Sequence, residues 1–333
     1  MKRWWLLLAL PAVMLAGCSS GENKTEGTTG TDGGGKAKMR IAMIPKGTSH
    51  EFWKTVEMGA KKAEAELGVT VIWKGPLKED DRDAQIKVVE SFVSEKVDGM
   101  ALAPLDDTAL RQPVKEAQDA GIPVAIFDSA LKDVPVVSFV ATDNRAGGKL
   151  AGDETAKLLG GKGKVILLRY QEGSASTHER EEGFMDAMKA NSGITVVSQE
   201  QYAGATLESA QTAGENLIAR FKAGDGMGVD AIFCPNESST AGMLKALEGA
   251  GLAGKVKLIG FDSSQALQKG IADGNVNGVV VQNPFNMGYL TVKTLVAKIK
   301  GEKVEERIDT GATFVTKANI DTPDIQKLIN PLK

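Results

Sequence analysis

Short apolar runs alternate with amphipathic stretches along most of the chain. Residues 41–44 are continuously apolar, as in a strand buried on both faces, whereas 52–67 place apolar residues at helical spacing among lysines and glutamates. Further strands are predicted at 69–73, 99–103, 123–127, 136–141, 165–168, 194–199, 231–234, 256–261 and 276–281. Helices are predicted at 52–67, 81–94, 110–120, 145–159, 177–190, 207–221, 239–247, 264–272 and 286–299. This alternation predicts parallel sheets covered by helices on both faces.

The two halves of the chain repeat one another in pattern. A strand ends in Ala-Ile-Phe-Asp-Ser at 125–129, and another ends in Leu-Ile-Gly-Phe-Asp-Ser at 258–263. Leu-Ala-Pro at 102–104 and Phe-Cys-Pro at 233–235 form a second matching pair. The only two histidines, His50 and His178, follow the first strand of each half. We therefore expect two related lobes and not one large sheet.

The N-terminus has the layout of a secretory signal. Three residues with two basic side chains precede an apolar run at 4–16, which is too short to span a bilayer comfortably. Leu-Ala-Gly-Cys at 15–18 resembles the bacterial lipobox, so residues 1–17 are predicted to be a lipoprotein signal peptide and Cys18 to carry lipid. The alternative is a chance cysteine in an ordinary signal. Residues 18–37 are rich in Gly and Thr, which predicts a flexible tether.

Composition narrows the function classes. The chain has 333 residues, enough for two domains, and a formal net charge of −3. No basic face or tail of the kind that nucleic-acid binding needs is visible. Cys234 lies in an apolar stretch and is predicted to be a core residue, not a nucleophile.

Polar and aromatic side chains follow the strands of both halves. Ligands bind outside the carboxyl ends of the strands in open parallel sheets, so these side chains are the candidate site. Lys46, Asp106, Asp107 and His178 belong to this inventory but are weaker candidates. The predicted ligand-binding residues are His50, Phe52, Trp53, Asp128, Arg180, Asn236, Asp262 and Gln282.

Each prediction has a structural alternative. Phe52 and Trp53 also fit the first turn of an amphipathic helix. Asp128 also fits ordinary turn chemistry, although its matching frame with Asp262 favours function. Arg180 also fits a surface ion pair with a neighbouring glutamate.

The candidate set suits a ligand with many hydroxyls. Carboxylates accept hydrogen bonds, Arg donates them in a fork, and Asn and Gln do both. The Phe52–Trp53 pair can cover the apolar face of a sugar ring. We find no dinucleotide loop, since the glycine-rich run at 160–163 precedes a strand, and no metal-spaced Cys/His cluster or nucleophile elbow. No cofactor, metal or catalytic residue is predicted.

Seven segments in order resemble one family. They are HEFW (50–53), VAIFD (124–128), ATDNRAGG (141–148), HEREEGF (178–184), CPNE (234–237), IGFD (259–262) and VVVQN (279–283). The stretch from Met39 to about Val315 is similar to the periplasmic sugar-binding proteins of the ribose/galactose type, whose type I fold the lac repressor core shares.

This resemblance implies an α/β venus-flytrap protein, with two doubly wound parallel-sheet lobes joined by a three-strand hinge. The implied lobes are 38–142 plus 283–311 and 143–282 plus 312–333, with crossovers near 142–143, 282–283 and 310–311. It also implies a monomer in the periplasm or at the cell surface that delivers a monosaccharide or related polyol to the membrane permease of an ABC importer.

Carried over by position, the resemblance assigns the candidate residues to ligand contact. Phe52 and Trp53 match the aromatic pair that sandwiches the sugar, and His50 replaces an Asn of the ribose binders. The five polar residues from Asp128 to Gln282 match ligand contacts directly. Ser129 stands where ribose binders have an Arg and Ala103 where they have an Asn, which puts ribose itself in doubt. Lys46 is a candidate to replace the lost polar contacts.

Two other classes stay open. A ligand-presenting subunit of a sensor, or a quorum-signal receptor, would bind its ligand in the same way. A glycoside-processing enzyme would use Asp128 and Asp262 as acid and base. A DNA-binding repressor is not expected, because only the predicted signal and tether precede Met39.

Overall fold

The computed structural model describes residues 38–331. The signal peptide predicted for 1–17, the tether predicted for 18–37 and the lipid site at Cys18 lie outside the described residues. The described residues form a compact unit by themselves, so a protein that starts at Lys38 keeps every core described below.

Within residues 38–331, strands and helices alternate. The strands are β1 (Arg40–Ile44), β2 (Thr70–Trp73), β3 (Gly99–Leu102), β4 (Val124–Phe127), β5 (Phe139–Ala141), β6 (Gly163–Leu167), β7 (Ile194–Ser198), β8 (Lys222–Ala223), β9 (Gly226–Met227), β10 (Ala231–Phe233), β11 (Lys257–Phe261), β12 (Gly278–Gln282), β13 (Arg307–Asp309) and β14 (Ala312–Val315). The helices are α1 (Glu51–Leu67), α2 (Arg82–Ser94), α3 (Arg111–Asp119), α4 (Asn144–Leu158), α5 (Ala175–Ala190), α6 (Leu207–Arg220), α7 (Glu237–Gly249), α8 (Gln265–Asp273), α9 (Pro284–Ile299) and α10 (Pro323–Ile329).

Two six-stranded sheets organise these elements. The first has the order β13-β5-β4-β3-β1-β2, and its paired strands are all parallel. The second has the order β14-β12-β11-β10-β6-β7 and is parallel except for β14, which runs antiparallel to β12. The predicted fold class, two doubly wound α/β sheets of the type I kind, is confirmed.

Burial on both faces explains the continuous apolar strands. In β1, Ile41 and Met43 enter a core shared with α1 and α9, whereas Ala42 and Ile44 enter a core shared with α2 and α3. Successive side chains of a strand point to opposite faces, so a strand covered on both faces needs an apolar residue at every position. The second sheet has the same arrangement, with α4 and α5 on one face and α6, α7 and α8 on the other.

The chain passes between the two sheets at three neighbouring places. It crosses after β5, returns after β12, and crosses again between β13 and β14. The first and third passages are hydrogen-bonded to each other, because Thr142 Oγ1 donates to the Gly311 carbonyl (3.2 Å) and Arg307 Nη2 to the Thr142 carbonyl (3.0 Å). Gln282, at the end of β12, pairs with Ala312 at the start of β14, so the second passage lies beside the third.

Elements predicted between residues 41 and 299 are present, with ends shifted by at most three residues. The short pair β8–β9 and the C-terminal elements β13, β14 and α10 were not predicted. Their patterns explain this: β13 has one apolar residue in three, and α10 buries only Ile325. No helix among residues 38–331 has the length and apolar character needed to cross a membrane.

Candidate functional site

A polar cavity lies between the two sheets, where the carboxyl ends of their strands face each other. All eight predicted ligand-binding residues line it, so the structure brings together side chains that are up to 232 positions apart, from His50 to Gln282. The cavity is also lined by residues outside the predicted set, namely Lys46, Glu79, Tyr170, Ser176, Thr177 and Glu237.

The aromatic wall comes from the first turn of α1. Phe52 and Trp53 are both buried, and their rings meet edge to face with centroids 4.9 Å apart. Trp53 also meets Phe127 edge to face at 6.2 Å. The two interpretations of this pair are therefore compatible: the rings belong to the first turn of an amphipathic helix and also line the cavity.

Glu79 organises the polar side of this wall. It lies in the loop between β2 and α2, and it is 5% exposed. Its Oε1 accepts a hydrogen bond from Trp53 Nε1 (2.6 Å) and lies 2.6 Å from His50 Nδ1. Its Oε2 accepts from the Tyr170 hydroxyl (2.7 Å), which belongs to the second-sheet half of the molecule. One carboxylate thus positions two cavity residues of its own half and holds a third from the other.

The His50–Glu79 pair is an ion pair. Burial by itself lowers the pKa of His50, but the charge of Glu79 and the hydrogen bond to it outweigh burial and raise that pKa to about 9. Burial raises the pKa of Glu79, but His50 and then Lys46 outweigh it and lower that pKa to about 2. Both groups are therefore charged at neutral pH.

Lys46 lies across the cavity, against Asp128. Its Nζ is 3.2 Å from Asp128 Oδ2 and donates to Ser174 Oγ (3.2 Å) and Ser176 Oγ (2.9 Å). The interpretation of Lys46 as a replacement polar group is consistent with this placement. Ser129 and Ala103, the two departures from the ribose-binder pattern, do not line the cavity; Ser129 Oγ accepts from the Ser176 amide (3.1 Å).

Arg180 is held rigidly and keeps one donor free. Its Nε donates to Asn144 Oδ1 (2.8 Å) and its Nη1 to the Pro235 carbonyl (2.9 Å), while the guanidinium lies 3.9 Å above the centroid of Phe261. Nη2 is buried and has no hydrogen-bond partner among the described residues. The alternative of a surface ion pair is wrong, because Arg180 is only 2% exposed and its neighbour Glu181 pairs with Arg169.

Asp262 and Gln282 form the opposite side. Gln282 Nε2 donates to Asp262 Oδ1 (2.7 Å), and the Glu237 amide donates to Asp262 Oδ2 (3.1 Å). Burial raises the pKa of Asp262, and Arg180, 3.9 Å away, acts against that rise. Gln282 Oε1 is buried without a hydrogen-bond partner in the described structure. Because unpaired buried polar atoms are costly, a donor from a bound molecule would satisfy this acceptor.

The two aspartates occupy equivalent backbone positions. Asp128 and Asp262 follow β4 and β11, and both have left-handed backbone with φ of 59° and 69°. The Asp128 amide donates to the Val140 carbonyl (3.1 Å), and the Asp262 amide donates to the Val280 carbonyl (2.8 Å), in each case on the next strand of the sheet. Aspartate tolerates left-handed backbone better than most residues. The matching frames in the sequence therefore correspond to matching geometry.

Asn236 has a structural role as well as a place in the cavity. It is the N-cap of α7, where its Oδ1 accepts from the Ser239 amide (3.2 Å) and its Nδ2 donates to Ser238 Oγ (3.2 Å). The adjacent Glu237 is nearly buried, and burial raises its pKa to about 7, against the opposing influence of His50 and of backbone amides of α1.

Three of the four weaker candidates, His178, Asp106 and Asp107, lie outside the cavity, whereas Lys46 lines it. The side chain of His178 is 57% exposed and lies 3.6 Å from Glu182. Asp106 and Asp107 pair instead with Arg82 (2.8 Å) and Lys132 (2.6 Å). Cys234 is fully buried in the core, as predicted. No cluster of His, Cys, Asp and Glu within residues 38–331 has the arrangement of a metal site.

Three of the unpredicted cavity residues could have been found by applying one rule to every strand. Glu79 follows β2, Tyr170 follows β6, and Glu237 directly follows the predicted Asn236 after β10. The rule that ligands lie at the carboxyl ends of parallel strands includes all three positions. No local pattern distinguishes Glu79 from its neighbours in the acidic run at 79–81, so its inward orientation required the structure.

Comparison with known proteins places the chain among binding proteins. It is 31% identical over 319 residues to a D-ribose/D-allose-binding protein of Pseudomonas aeruginosa, covering 93% of this chain and 96% of that protein. A solute-binding protein of a carbohydrate transporter from Agrobacterium radiobacter, solved with D-arabinose, superposes with a TM-score of 0.84 at 34% identity, over 89% of this chain and 100% of that one.

A second solved structure gives the same picture. An ABC transporter solute-binding protein of Agrobacterium vitis with bound D-fucose has a TM-score of 0.82 at 38% identity, covering 87% of this chain and 99% of that one. The model of the periplasmic binding protein domain matches residues 41–303. The chain therefore belongs to the periplasmic binding protein family, whose members work outside the cytoplasm.

Proposed function

We propose that this protein captures a neutral monosaccharide between its two lobes and delivers it to the permease of an ABC importer. The observation that carries the proposal is the pair of buried, unpartnered atoms in the cavity, Arg180 Nη2 and Gln282 Oε1. One is a donor and the other an acceptor, and a hydroxyl group satisfies both kinds. The edge-to-face aromatic pair beside them offers the apolar surface that a sugar ring needs.

The charges of the cavity favour a neutral ligand. Lys46 is paired with Asp128, and His50 is paired with Glu79. Arg180 Nη1 lies 3.9 Å from Asp262 Oδ2. Glu237, the fourth carboxylate of the lining, accepts from the amides of Glu51 and Phe52 instead. An anionic ligand would compete with the carboxylate that already pairs with each of these cations, and breaking a buried pair costs about 3–5 kcal/mol. Neutral aldoses and related polyols avoid this cost, and they are the ligand class that we propose.

The lobes and hinge follow from the resemblance and the chain path. We assign 38–142 plus 283–311 to the first lobe and 143–282 plus 312–333 to the second, with the three passages between the sheets as the hinge. Bending there would open the cavity, and closure would remove the ligand from water. The names of relatives support transport as the purpose, since one is a ribose import binding protein of Escherichia coli, 30% identical over 285 residues. Lipid anchoring through Cys18 and a monomeric state complete the proposal.

A thermal-shift experiment tests the ligand class. Residues 38–333 would be purified, unfolded and refolded to remove bound ligand, and then heated with monosaccharides, polyols, nucleosides, uronic acids, amino sugars and sugar phosphates. A ligand at about 1,000 times its dissociation constant adds about 4 kcal/mol to the free energy of unfolding, which shifts the melting temperature by several degrees. We expect a rise with one or more neutral monosaccharides or related polyols and none with the charged sugars or the nucleosides.

Other outcomes would contradict the proposal. A rise with a charged sugar and none with its neutral parent would overturn the argument from paired charges. No rise with any sugar would overturn the monosaccharide function and favour a signal molecule. Turnover of aryl glycosides by the purified protein would show an enzyme instead of a binding protein.

A further inference from the structure

Helix α1 receives its N-terminal cap from the other lobe. The first amides of a helix have no partner within the helix and are satisfied by a capping group or by water. The N-cap residue of α1, His50, makes no side-chain capping hydrogen bond. Instead Glu237, at the start of α7, accepts from the amides of Glu51 (Oε1, 3.2 Å) and Phe52 (Oε2, 3.0 Å). Two residues about 185 positions apart thus complete one helix terminus.

The arrangement is reciprocal. Glu51, the first residue of α1, accepts through Oε2 from the amide of Gln265 (3.0 Å), which is the first residue of α8. Ser264, the N-cap of α8, does not cap this amide, because its hydroxyl accepts from the Leu267 amide instead. Each lobe therefore supplies one carboxylate to a helix N-terminus of the other. We use the term closure clasp for the carboxylates of Glu51 and Glu237 together with the three backbone amides that donate to them.

The clasp contacts belong to the closed arrangement and need no ligand. An acidic side chain at a helix N-terminus gains from the hydrogen bond and from the positive end of the helix dipole. When the lobes separate, each amide exchanges its carboxylate for water. Glu237 lines the cavity, but Glu51 is not among the cavity-lining residues, so Glu51 reports on closure without reporting on ligand contact.

We propose that the closure clasp sets the fraction of the ligand-free protein that is closed, and so scales the affinity for every ligand by the same factor. This rests on the proposed function, in which ligand is held in the closed form. If only the closed form holds ligand, the apparent dissociation constant is the intrinsic one divided by the closed fraction. Weakening the clasp then weakens binding without changing which sugar is preferred.

Glu51→Ala is the primary variant, and Glu57→Ala is its matched control. Both remove one glutamate from α1, and Glu57 has no side-chain hydrogen bond or ion pair among the described residues. We expect Glu51→Ala to weaken binding about tenfold, which corresponds to about 1.4 kcal/mol, because it loses the hydrogen bond from the Gln265 amide. The control should stay within about twofold. The factor should be equal for two sugars of different affinity. Measurement at pH 8 keeps Glu237 ionised, since its pKa is about 7.

Gln265→Pro removes the same contact from the other end. Proline is tolerated at the first position of a helix, where it lacks only the amide hydrogen. Ser264 already has the extended backbone that a residue before proline requires, with φ −138° and ψ 167°. We expect this variant to weaken binding by the same factor as Glu51→Ala, and the double variant to be no weaker than either. Additive losses would mean that the two residues act separately and would overturn the clasp.

A distance measurement separates this proposal from the proposed function. Fluorescent labels on Lys87→Cys in α2 and Lys189→Cys in α5 report lobe separation in ligand-free protein, and both sites are exposed. Fewer short distances in Glu51→Ala than in Glu57→Ala would support the clasp even if no sugar bound. Identical distance distributions in the two variants would overturn it, as would equal sugar affinities.

Discussion

Replacing Glu79 with glutamine should release the proton of His50 at neutral pH. Glutamine keeps the shape of the side chain and can still accept at Oε1 from Trp53 and His50, but it removes the negative charge. In the native protein, burial lowers the pKa of His50 and Glu79 raises it to about 9. Without that charge, burial dominates. We expect the pKa of His50 in Glu79→Gln to fall to its ordinary value of 6.5 or below.

The size of the effect follows from the shift. Moving a pKa from 6.5 to about 9 corresponds to about 3 kcal/mol of interaction with the protonated form, at 1.36 kcal/mol per unit. Because the pKa is raised in the folded protein, this stabilisation is fully present below pH 6.5 and is lost as the pH rises through about 9. The free energy of unfolding of Glu79→Gln should therefore lie about 3 kcal/mol below the native value at pH 6, and the gap should close by pH 10.

The assay is favourable because the chain has only two histidines. Imidazole resonances of tag-free protein can be followed by NMR from pH 5 to 10, with His178→Gln to identify the second histidine. Urea unfolding at pH 6 and pH 10 supplies the free energies. A native His50 midpoint near 6.5, or the same midpoint in native protein and Glu79→Gln, would refute the ion-pair reasoning.

Three further predictions concern single residues. Tyr170→Phe removes the hydroxyl that donates to Glu79 across the cavity (2.7 Å), and calorimetry should show sugar affinity about tenfold weaker with little change in selectivity. Arg180→Lys loses the forked donors of the guanidinium, so sugar affinity should fall by more than about a hundredfold, and an affinity within tenfold of native would contradict this. The same variant leaves Asn144 Oδ1 unpaired and should lower the melting temperature, since an unsatisfied buried group costs about 1–3 kcal/mol. Gly148→Ala places a Cβ against the Arg180 carbonyl between α4 and α5 and should cost about 1–3 kcal/mol in urea unfolding, whereas Gly249→Ala, which meets nothing within 4 Å, should be neutral or stabilising by up to about 1 kcal/mol.

The sequence predicts the architecture well because strands buried on both faces must be apolar at every position. Each buried strand is a short apolar run, and the helices between them show their own period. The C-terminal elements show no such pattern: β14 follows β13 after two residues, and only its last residue, Val315, is buried. Its place is fixed by pairing with β12, a long-range contact that no local window contains.

The candidate site divides in the same way. Asp128 and Asp262 are recognisable because two strands end in the same sequence pattern. Arg180 is recognisable only from its resemblance to a family motif, because its Glu-Arg-Glu-Glu sequence is typical of a solvated helix face. Glu79 and Tyr170 depend instead on how the two lobes meet, since each owes its position to a partner on the opposite side of the cavity. Contact of these residues with a ligand stays a prediction.

Left-handed backbone at Asp128 and Asp262 restricts how this cavity can evolve. Glycine and asparagine share the ability of aspartate to adopt positive φ, but β-branched and bulky residues do not. Glycine would delete the polar group, so asparagine is the nearest polar replacement that keeps the conformation of each position. Adaptation to a new ligand should therefore proceed by substitution of cavity residues with ordinary backbone conformation, such as Lys46 and Thr177. The two aspartates should stay unchanged while the residues around them vary.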